Sequence, residues 1–536
     1  MPSAPKADIF KLALPGVLLG VALLAPFLNK AFTIDDPTFL LEARQILKTP
    51  LQPWSFPICY GDDLCVLQAG NMGANAREGL MGYVLVPVML AGGAEWLAHL
   101  IQILLVCLVV VEMVALALRV GLSHTQAAVA GLFVVAIPPL LSMASTAMPD
   151  VLALALGLSG IERLLAWKDE RRWHQAAVAA LALGLAPYAR PHFALFLPLG
   201  ALWLLDELNI RKAFGQFRRQ TILWMPILLA AMVLFAANFF TRPRGSGLER
   251  NMEIGFDHVP LNLFAYLLYL SFPIPLAAVW FARHWRTAKI LILVFSIPIV
   301  AAYFTEFSRK SLVWEFEVAA VLFGGAVIVA MILAQIQQRD RVGILLVLWL
   351  LMPLPAIIYA HLPIKYMLAV MPAIVLTLIR LLSIVPKRRA YLAYATIVAV
   401  CAGYSLILLR ADAHFAECSR RAARELIAPR VAAGEKIWYG GDWGFYWYAQ
   451  EAGARVSRPD EPGPYRGELL VVGLMENGGP TLKRFPNREL IESRSYDSPR
   501  GRTMGYGAGL YSNYYGLLPW RWKPTATNEY QLWRIH

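Results

Sequence analysis

Residues 32–40 read FTIDDPTFL, and they place two adjacent carboxylates directly after the first long apolar segment of the chain. Asp36 precedes Pro37. A residue before proline is held in extended geometry, proline suits the first helical position, and aspartate is a favoured N-cap. The stretch therefore predicts that a helix begins here with Asp36 as its N-cap, which leaves Asp35 without a local structural role.

The residues after Pro37 have the spacing of a short amphipathic helix, which is expected to lie on the membrane surface. Its apolar residues fall on one stripe: Phe39, Ala43, Ile46 and Leu47. A second apolar segment, GLMGYVLVPVMLAGG (79–93), is shorter than a bilayer-spanning helix and is expected to be interfacial or re-entrant.

The composition around these segments is that of an integral membrane protein. The chain has 536 residues, of which 58% are hydrophobic and only 16% are charged, whereas soluble chains average about 25% charged residues. The net charge of +13 is interpreted as a topology signal rather than as nucleic-acid binding. The sequence shows no zinc-ligand spacing, glycine-rich phosphate loop or internal repeat.

Thirteen apolar spans are predicted, and the first is interpreted as an uncleaved helix rather than as a signal peptide. They lie at 12–28, 95–118, 125–143, 149–166, 174–189, 191–205, 221–240, 261–282, 288–304, 316–337, 342–360, 364–384 and 390–409. With a cytoplasmic N-terminus, every loop on the cytoplasmic side then carries lysine or arginine, as the positive-inside rule requires.

The same count divides the chain into two domains. Residues 1–410 form the transmembrane domain, including a periplasmic loop at 29–94, and residues 411–536 form a periplasmic domain. In the latter, EKIWYGG, ARVS, ELLVVG and YQLWRIH are expected to be strands and WGFYWYAQEAG a helix. The predicted fold class is thus an α-helical polytopic membrane protein with a small C-terminal α/β domain.

Two of the five cysteines, Cys59 and Cys65, lie in the first periplasmic loop in the segment CYGDDLC. A periplasmic location permits a disulfide, and two free thiols are the alternative.

Ionisable residues collect at the outer ends of the predicted spans. Charges at membrane depth are costly and usually face a cavity. The residues concerned are Asp35, Asp36, Arg77, Glu78, Asp150, Arg190, His192, His361 and Lys365, with Arg242, Arg244 and Arg250 in a mid-chain loop. A carboxylate at such a cavity can deprotonate a hydroxyl or an amine, and fixed cations can stabilise a phosphate leaving group. This set suits transfer of a sugar from a polyprenyl phosphate.

Several of these residues also have purely structural explanations. Asp150 can serve the helix dipole, and Lys365 can extend to the interface. His192 and His361 can be structural or solvated residues, and the arginines of the mid-chain loop can simply be exposed. Asp35 has no local capping role and is therefore the better candidate for a base. Arg190, between two apolar spans, is hard to explain by packing.

These motifs resemble those of the C-type (GT-C) glycosyltransferase superfamily, in particular the bacterial relatives of protein O-mannosyltransferases and of the aminoarabinose transferase that modifies lipid A. The matching segments are IDDPTFLLEARQIL (34–47), MPDVLALAL (148–156), APYARPHFALFLPL (186–199) and IKYMLAVMPAIVL (364–376). The similarity runs over residues 10–410. Many relatives carry a Pro-Pro-Leu segment where this chain has NAREGLMGY (75–83), so Arg77 and Glu78 stand in its place.

The resemblance implies roles for individual residues. The catalytic base that activates the acceptor maps onto Asp35 or Asp36, and donor-phosphate binding maps onto Arg190 and Lys365, with Arg77. Asp150 and Glu78 are expected to orient the acceptor or a metal; His192, His361 and Tyr366 are further candidates. No cofactor is expected to be required, with a divalent metal as the alternative because some relatives use one.

The sequence therefore predicts an inverting glycosyltransferase of the bacterial inner membrane. Its expected partners are a polyprenyl-phosphate sugar, which we take to be undecaprenyl-linked, membrane lipids, and a lipid, glycan or protein acceptor, with no nucleic acid. A transporter or lipid-glycan flippase is the main alternative, although such proteins usually show repeated halves and charges near the membrane midplane. A non-catalytic scaffold with a glycan-stacking C-terminal domain is a third.

Overall fold

The computed structural model describes residues 6–536 apart from 57, 61–63, 67–78, 208–215, 217–219, 242–254, 271–328, 330, 337–339, 360, 384–385, 460–461, 498–500, 506 and 522–525. Predictions that concern Arg77, Glu78 or the loop of Arg242, Arg244 and Arg250 lie outside the described residues, as do the predicted span 288–304 and most of 316–337.

Helices dominate the described part of residues 6–432. In chain order they are α1 Lys6–Leu24, α2 Asp36–Ile46, α3 Leu80–Val84, α4 Val86–Leu90, α5 Glu95–Arg119, α6 His124–Ala136, α7 Pro138–Ala144, α8 Asp150–Glu170, α9 Trp173–Ala189, α10 Phe196–Leu204, α11 Met225–Thr241, α12 Val259–Leu270, α13 Arg341–Leu350, α14 Met371–Leu382, α15 Lys387–Ala422 and α16 Ala428–Ala432. Short 3-10 segments cover Ala25–Phe27, Pro191–Leu195, Thr221–Trp224, Phe256–His258, Leu354–Ile358 and Ile364–Val370, and one π turn covers Ala423–Ile427.

The prediction of a polytopic helical membrane protein is confirmed. Within the described residues, six helical segments are long and apolar enough to cross a membrane, and α6 with α7, bent by 58°, makes a seventh if the pair is one span. Helices α8 and α9 also occupy the predicted spans 149–166 and 174–189. The total of thirteen spans stays a prediction because part of the chain lies outside the described residues.

Small residues let the first helices of the bundle approach closely. A Cβ atom placed on Gly16 of α1 would lie 2.8 Å from the carbonyl oxygen of Gly131 in α6. Such contact between helix backbones is typical of membrane bundles, where packing rather than water exclusion drives association. This contact fixes the position of α1 against α6, and thereby the start of the loop that follows α1.

That loop carries the elements that build the site. The expected amphipathic helix is α2, and the apolar segment 79–93 forms two short helices, α3 and α4, instead of one, because Pro87 starts a new helix. Between α2 and α3, strands β1 Ile58–Tyr60 and β2 Leu64–Val66 pair antiparallel and place Cys59 directly opposite Cys65 in register. The disulfide between them remains a prediction.

The C-terminal region forms the expected small α/β domain. Its elements are β3 Ile437–Gly440, α17 Trp443–Glu451, β4 Arg455–Val456, β5 Leu469–Gly473, α18 Gly478–Arg484, β6 Arg488–Asp497, β7 Met504–Gly505, β8 Ala508–Gly509 and β9 Ala526–Ile535. The main sheet has the order β4-β3-β5-β9-β6, with β3 parallel to β4 and β5, and β9 antiparallel to its neighbours. The domain boundary at 410 stays a prediction, since α15 is continuous across that position.

Helix α17 docks this domain onto the loop after α1. The backbone N–H of Phe32 donates to the Tyr448 hydroxyl at 2.8 Å, and that hydroxyl donates to Glu95 Oε1 at 3.0 Å. The ring of Trp447 meets the ring of Phe32 edge-on. The C-terminal domain therefore contacts the stretch that leads directly into Asp35 and Asp36.

Candidate active site

The two adjacent aspartates occupy different environments at the start of α2. Asp36 is fully buried; its Oδ2 accepts from the backbone N–H of Thr33 and its Oδ1 from that of Ala147, both at 2.8 Å. The N-cap position belongs to Asp35, which makes no capping hydrogen bond with its side chain. The prediction that Asp36 caps the helix is therefore wrong: because Asp36 is already the first helical residue, its carboxylate turns back to Thr33 and across to the loop before α8.

Burial changes the acidity of Asp36. Loss of hydration raises the pKa of this carboxyl from 3.8 to about 7, against the opposing effects of the Lys30 charge and the two backbone donors. Ile34, two residues earlier, has a φ of 45°, a conformation rarely adopted by β-branched residues. This strained turn fits a segment that tertiary contacts hold in place.

Asp35 stays accessible. Its Oδ2 accepts a hydrogen bond from Lys365 Nζ at 3.2 Å, and its side chain is 38% exposed while that of Lys365 is 7% exposed. Lys365 lies in the 3-10 segment that precedes α14. The sequence assigned these two residues to separate roles, and the structure joins them as one ion pair with an open carboxylate.

Asp150 and Arg190 form a second, closed pair. The guanidinium donates to both carboxylate oxygens, Nε to Oδ1 at 3.0 Å and a terminal nitrogen to Oδ2 at 2.7 Å, and both side chains are at most 5% exposed. Arg190 also lies over the Phe39 ring of α2, 5.9 Å from its centre. Arg190 is thus on the same side of the molecule as Asp35, and Asp150 orients it through a bidentate contact.

Aromatic and histidine rings connect the two pairs. The ring of Tyr366 is 4.9 Å from that of His192 and 6.3 Å from that of His361, which in turn lies 5.2 Å from Tyr514. His192 follows Arg190 by two residues in the chain, and Tyr366 directly follows Lys365. All three ring residues proposed from the sequence therefore gather between the charged pairs.

Burial lowers the pKa of His361 to about 4, and the nearby charge of Lys365 acts in the same direction. The imidazole is therefore neutral at pH 7. Lys365 then supplies the positive charge beside Asp35 without a second cation at the His361 position.

A buried network behind Asp36 was not anticipated from the sequence. Lys30 Nζ forms an ion pair with Asp412 and donates to the Ser145 carbonyl oxygen at 2.7 Å. Asp412 also accepts from the Tyr511 hydroxyl at 2.6 Å and from the Thr503 hydroxyl at 3.1 Å. The network thus joins the first loop, the segment before α8, α15 and the C-terminal domain. Lys30 could have indicated this network from the sequence, because a lysine at the end of an apolar span is expected to have an acidic partner.

The described residues contain no group of three or more histidine, cysteine, aspartate or glutamate side chains that could hold a metal ion. Whether a divalent metal is needed stays a prediction. Arg77 and Glu78 lie outside the described residues, so their roles in phosphate binding and acceptor orientation stay predictions.

The assembled site combines an accessible carboxylate, a lysine beside it, and a closed aspartate–arginine pair around stacked rings. A carboxylate of this kind can accept a proton from a nucleophile within hydrogen-bond reach. The neighbouring cations can stabilise negative charge on a departing group. The rings offer flat surfaces on which a sugar can pack.

Comparison with known proteins finds solved structures of similar architecture. No family model and no curated protein matches the chain. The chain is similar to ArnT from Cupriavidus metallidurans bound to undecaprenyl phosphate, at 14% identity and a TM-score of 0.43, over 91% of this chain and 97% of that one. It is also similar to the same protein in the apo state, at 14% identity and a TM-score of 0.44, over 89% and 95% of the two chains.

ArnT belongs to the C-type glycosyltransferase superfamily that the sequence motifs resemble. At this identity and TM-score, the activity of the present chain has to be argued from its own site.

Proposed function

We propose that the protein is an inverting glycosyltransferase that moves a sugar from a polyprenyl phosphate, with undecaprenyl phosphate as the carrier, to an acceptor on the periplasmic face of the inner membrane. The observation that carries the proposal is the open Asp35–Lys365 pair beside the closed Asp150–Arg190 pair. One group can take a proton and its neighbours can hold a phosphate. The acceptor is a lipid, a glycan or a protein.

In this mechanism Asp35 is the general base. Its carboxylate takes the proton of the acceptor hydroxyl or amine while the acceptor atom attacks the anomeric carbon of the sugar. The bond between that carbon and the phosphate oxygen breaks, the electron pair leaves with the lipid phosphate, and attack from the opposite face inverts the configuration. Asp36 suits this role less well, because its side chain is fully buried and both oxygens already accept backbone hydrogen bonds.

Lys365 links the donor to the base. A donor phosphate carries negative charge and competes with Asp35 for the Lys365 ammonium. When the Lys365 ammonium pairs with the phosphate instead of Asp35, it stabilises the leaving group. The Asp35 carboxylate is then released to accept a proton. Arg190, oriented by Asp150, adds a second positive charge, and Arg77 is proposed as a third; Glu78 is proposed to orient the acceptor together with Asp150.

The test is transfer from the undecaprenyl-phosphate donor to a lipid-extracted acceptor by purified, folded variants. Asp35→Asn is expected to reduce the rate by about 10²–10⁴-fold, the contribution typical of a general base. Asp206→Asn is the matched control, because Asp206 is an exposed aspartate whose partner is Lys168. If Asp35→Asn and Asp36→Asn both transfer at the wild-type rate, the proposal is wrong.

The same assay tests the phosphate contact. Lys365→Gln is expected to slow release of the lipid phosphate by about 10²-fold, as loss of one charge-stabilising donor usually does. Lys365→Arg keeps the charge and is expected to restore part of the rate. Release of lipid phosphate also distinguishes the transferase from a flippase, which moves the lipid without cleaving the sugar bond.

A further inference from the structure

A cavity of ≈ 240 Å³ lies between α2, the strand β1 and the C-terminal domain. It is separate from the Asp35 site but lies on the same helix. Arg44, which lines the cavity, follows Asp36 by eight residues, and a helix rises 1.5 Å per residue, so the two positions are about 12 Å apart along α2.

Among the described residues, the charged side chains that line this cavity are all positive, and no carboxylate lines it. Arg44 contributes from α2, Lys48 from the turn that follows α2, and Arg458 from the C-terminal domain. Three cations around one small volume create a potential that attracts an anion. The amide side chains of Gln45 and Gln450 add neutral hydrogen-bonding groups, which suit hydroxyl groups.

Arg44 is oriented but not locked. Its guanidinium lies 4.9 Å from the centre of the Trp447 ring, and it pairs with Glu451 at 2.9 Å. The two side chains are 37% and 47% exposed. An ion pair this exposed is worth little, so a ligand anion can replace Glu451. The planar guanidinium then offers a two-pronged contact to a phosphate or a carboxylate.

The rest of the wall is mostly apolar and includes aromatic rings. Tyr446 and Phe56 are both buried and line the cavity, together with Ile58 of β1. Aromatic rings pack against the C–H face of a sugar, whereas a free inorganic anion would make no use of them. The lining therefore matches a ligand with both a ring and an anionic substituent.

We infer that this cavity binds an anionic sugar unit, carrying a phosphate or a carboxylate, of the acceptor molecule. The assignment rests on the proposed function, because an acceptor held here lies one short helix away from Asp35. The cavity holds a sugar that does not react, and α2 sets the distance between that sugar and the reacting group. The acceptor is accordingly a glycan or glycolipid with a negatively charged sugar.

The test uses the full chain in nanodiscs of phosphatidylcholine and measures binding by isothermal titration calorimetry. Glucose 6-phosphate and glucuronate are the probes, with glucose and inorganic phosphate as comparisons. We expect the two anionic sugars to bind at least about tenfold more tightly than glucose or phosphate. The double variant Arg44→Gln/Lys48→Gln is expected to lose this preference, whereas Lys436→Gln, which removes an exposed lysine of the C-terminal domain outside the cavity lining, is expected to retain it.

Three results would overturn the inference. One is equal affinity of the wild type and the double variant for glucose 6-phosphate. Another is inorganic phosphate binding as tightly as glucose 6-phosphate. The third is loss of sugar-phosphate binding when phosphatidylglycerol is added to the nanodisc, which would assign the cavity to a lipid headgroup. The titration contains no donor and measures no transfer, so it fails or succeeds independently of Asp35.

Discussion

Two lysine–aspartate pairs tie the loop after α1 to distant parts of the chain, and their surroundings differ sharply. In the Lys30–Asp412 pair the two side chains are 0% and 2% exposed, and Asp412 also accepts hydrogen bonds from Thr503 and Tyr511. In the Asp35–Lys365 pair the carboxylate is 38% exposed. The same pair of functional groups is thus buried at Lys30–Asp412 and partly exposed to solvent at Asp35–Lys365.

The difference shows which of these two pairs can exchange a partner for a ligand. A closed pair cannot exchange a partner for a ligand, because either ion left alone in the interior would be strongly disfavoured. An open pair loses little when one partner turns to a new ligand, because water solvates the other. The closed pair accordingly holds the domain contacts, and the open pair is available to the donor phosphate and the acceptor of the proposed reaction.

The sharpest test of this contrast removes one charged group from each pair. Asp412→Ala is expected to lower the free energy of unfolding by about 3–5 kcal/mol, because it leaves the Lys30 ammonium buried without its counterion. Lys365→Gln is expected to lower it by no more than about 1 kcal/mol, because the Asp35 carboxylate that it leaves without a counterion is 38% exposed and stays hydrated. Chemical denaturation of both variants in the same detergent measures the two values. Similar losses would remove the distinction between the two pairs.

Asp36, between the two pairs, gives a smaller effect that depends on pH. Its pKa is raised from 3.8 to about 7, so between these values the folded protein binds a proton that the unfolded chain has released. Its contribution to stability is complete below pH 3.8 and is lost as the pH rises towards 7, at about 1 kcal/mol per pH unit.

Unfolding free energies at a series of pH values, for the wild type and for Asp36→Asn, isolate this contribution. The variant cannot ionise, so its curve should be flatter than that of the wild type by the stated slope. Parallel curves would mean that Asp36 titrates in the folded protein as it does in the unfolded chain.

Much of the fold could be predicted from local patterns. Long apolar runs predicted α1, α5 and α11, and short apolar segments predicted β3 and β5, with the aromatic-rich helix α17 between these two parallel strands. Strand β6 (Arg488–Asp497) was missed because its sequence, RELIESRSYD, is mostly charged or polar. It is an edge strand, and charge on an edge protects against unwanted pairing while hiding the usual strand signal.

The residues of the candidate site could be predicted, but their pairing could not. Asp35, Asp150, Arg190 and Lys365 were identified individually, whereas their ion pairs join positions up to 330 residues apart. Local sequence carries no information on such contacts. Asp36 shows the same limit at short range: its proline neighbour suggested a cap, and a contact with Ala147, 111 residues away, decided its orientation.

A third ion pair, in which both side chains are exposed to solvent, extends the comparison. Glu451→Gln removes the partner of Arg44, and both side chains are exposed, so the free energy of unfolding should fall by no more than about 0.2–1 kcal/mol. Its effect on ligand binding should be opposite in sign. Because Arg44 no longer has a competing carboxylate, affinity for glucose 6-phosphate should rise by roughly two- to fivefold in the titration described above. Unchanged or weaker binding would show that Glu451 does not compete with the ligand for Arg44. In that case, increasing exposure of the three ion pairs would not correspond to a structural role for the first, a catalytic role for the second and a ligand-binding role for the third.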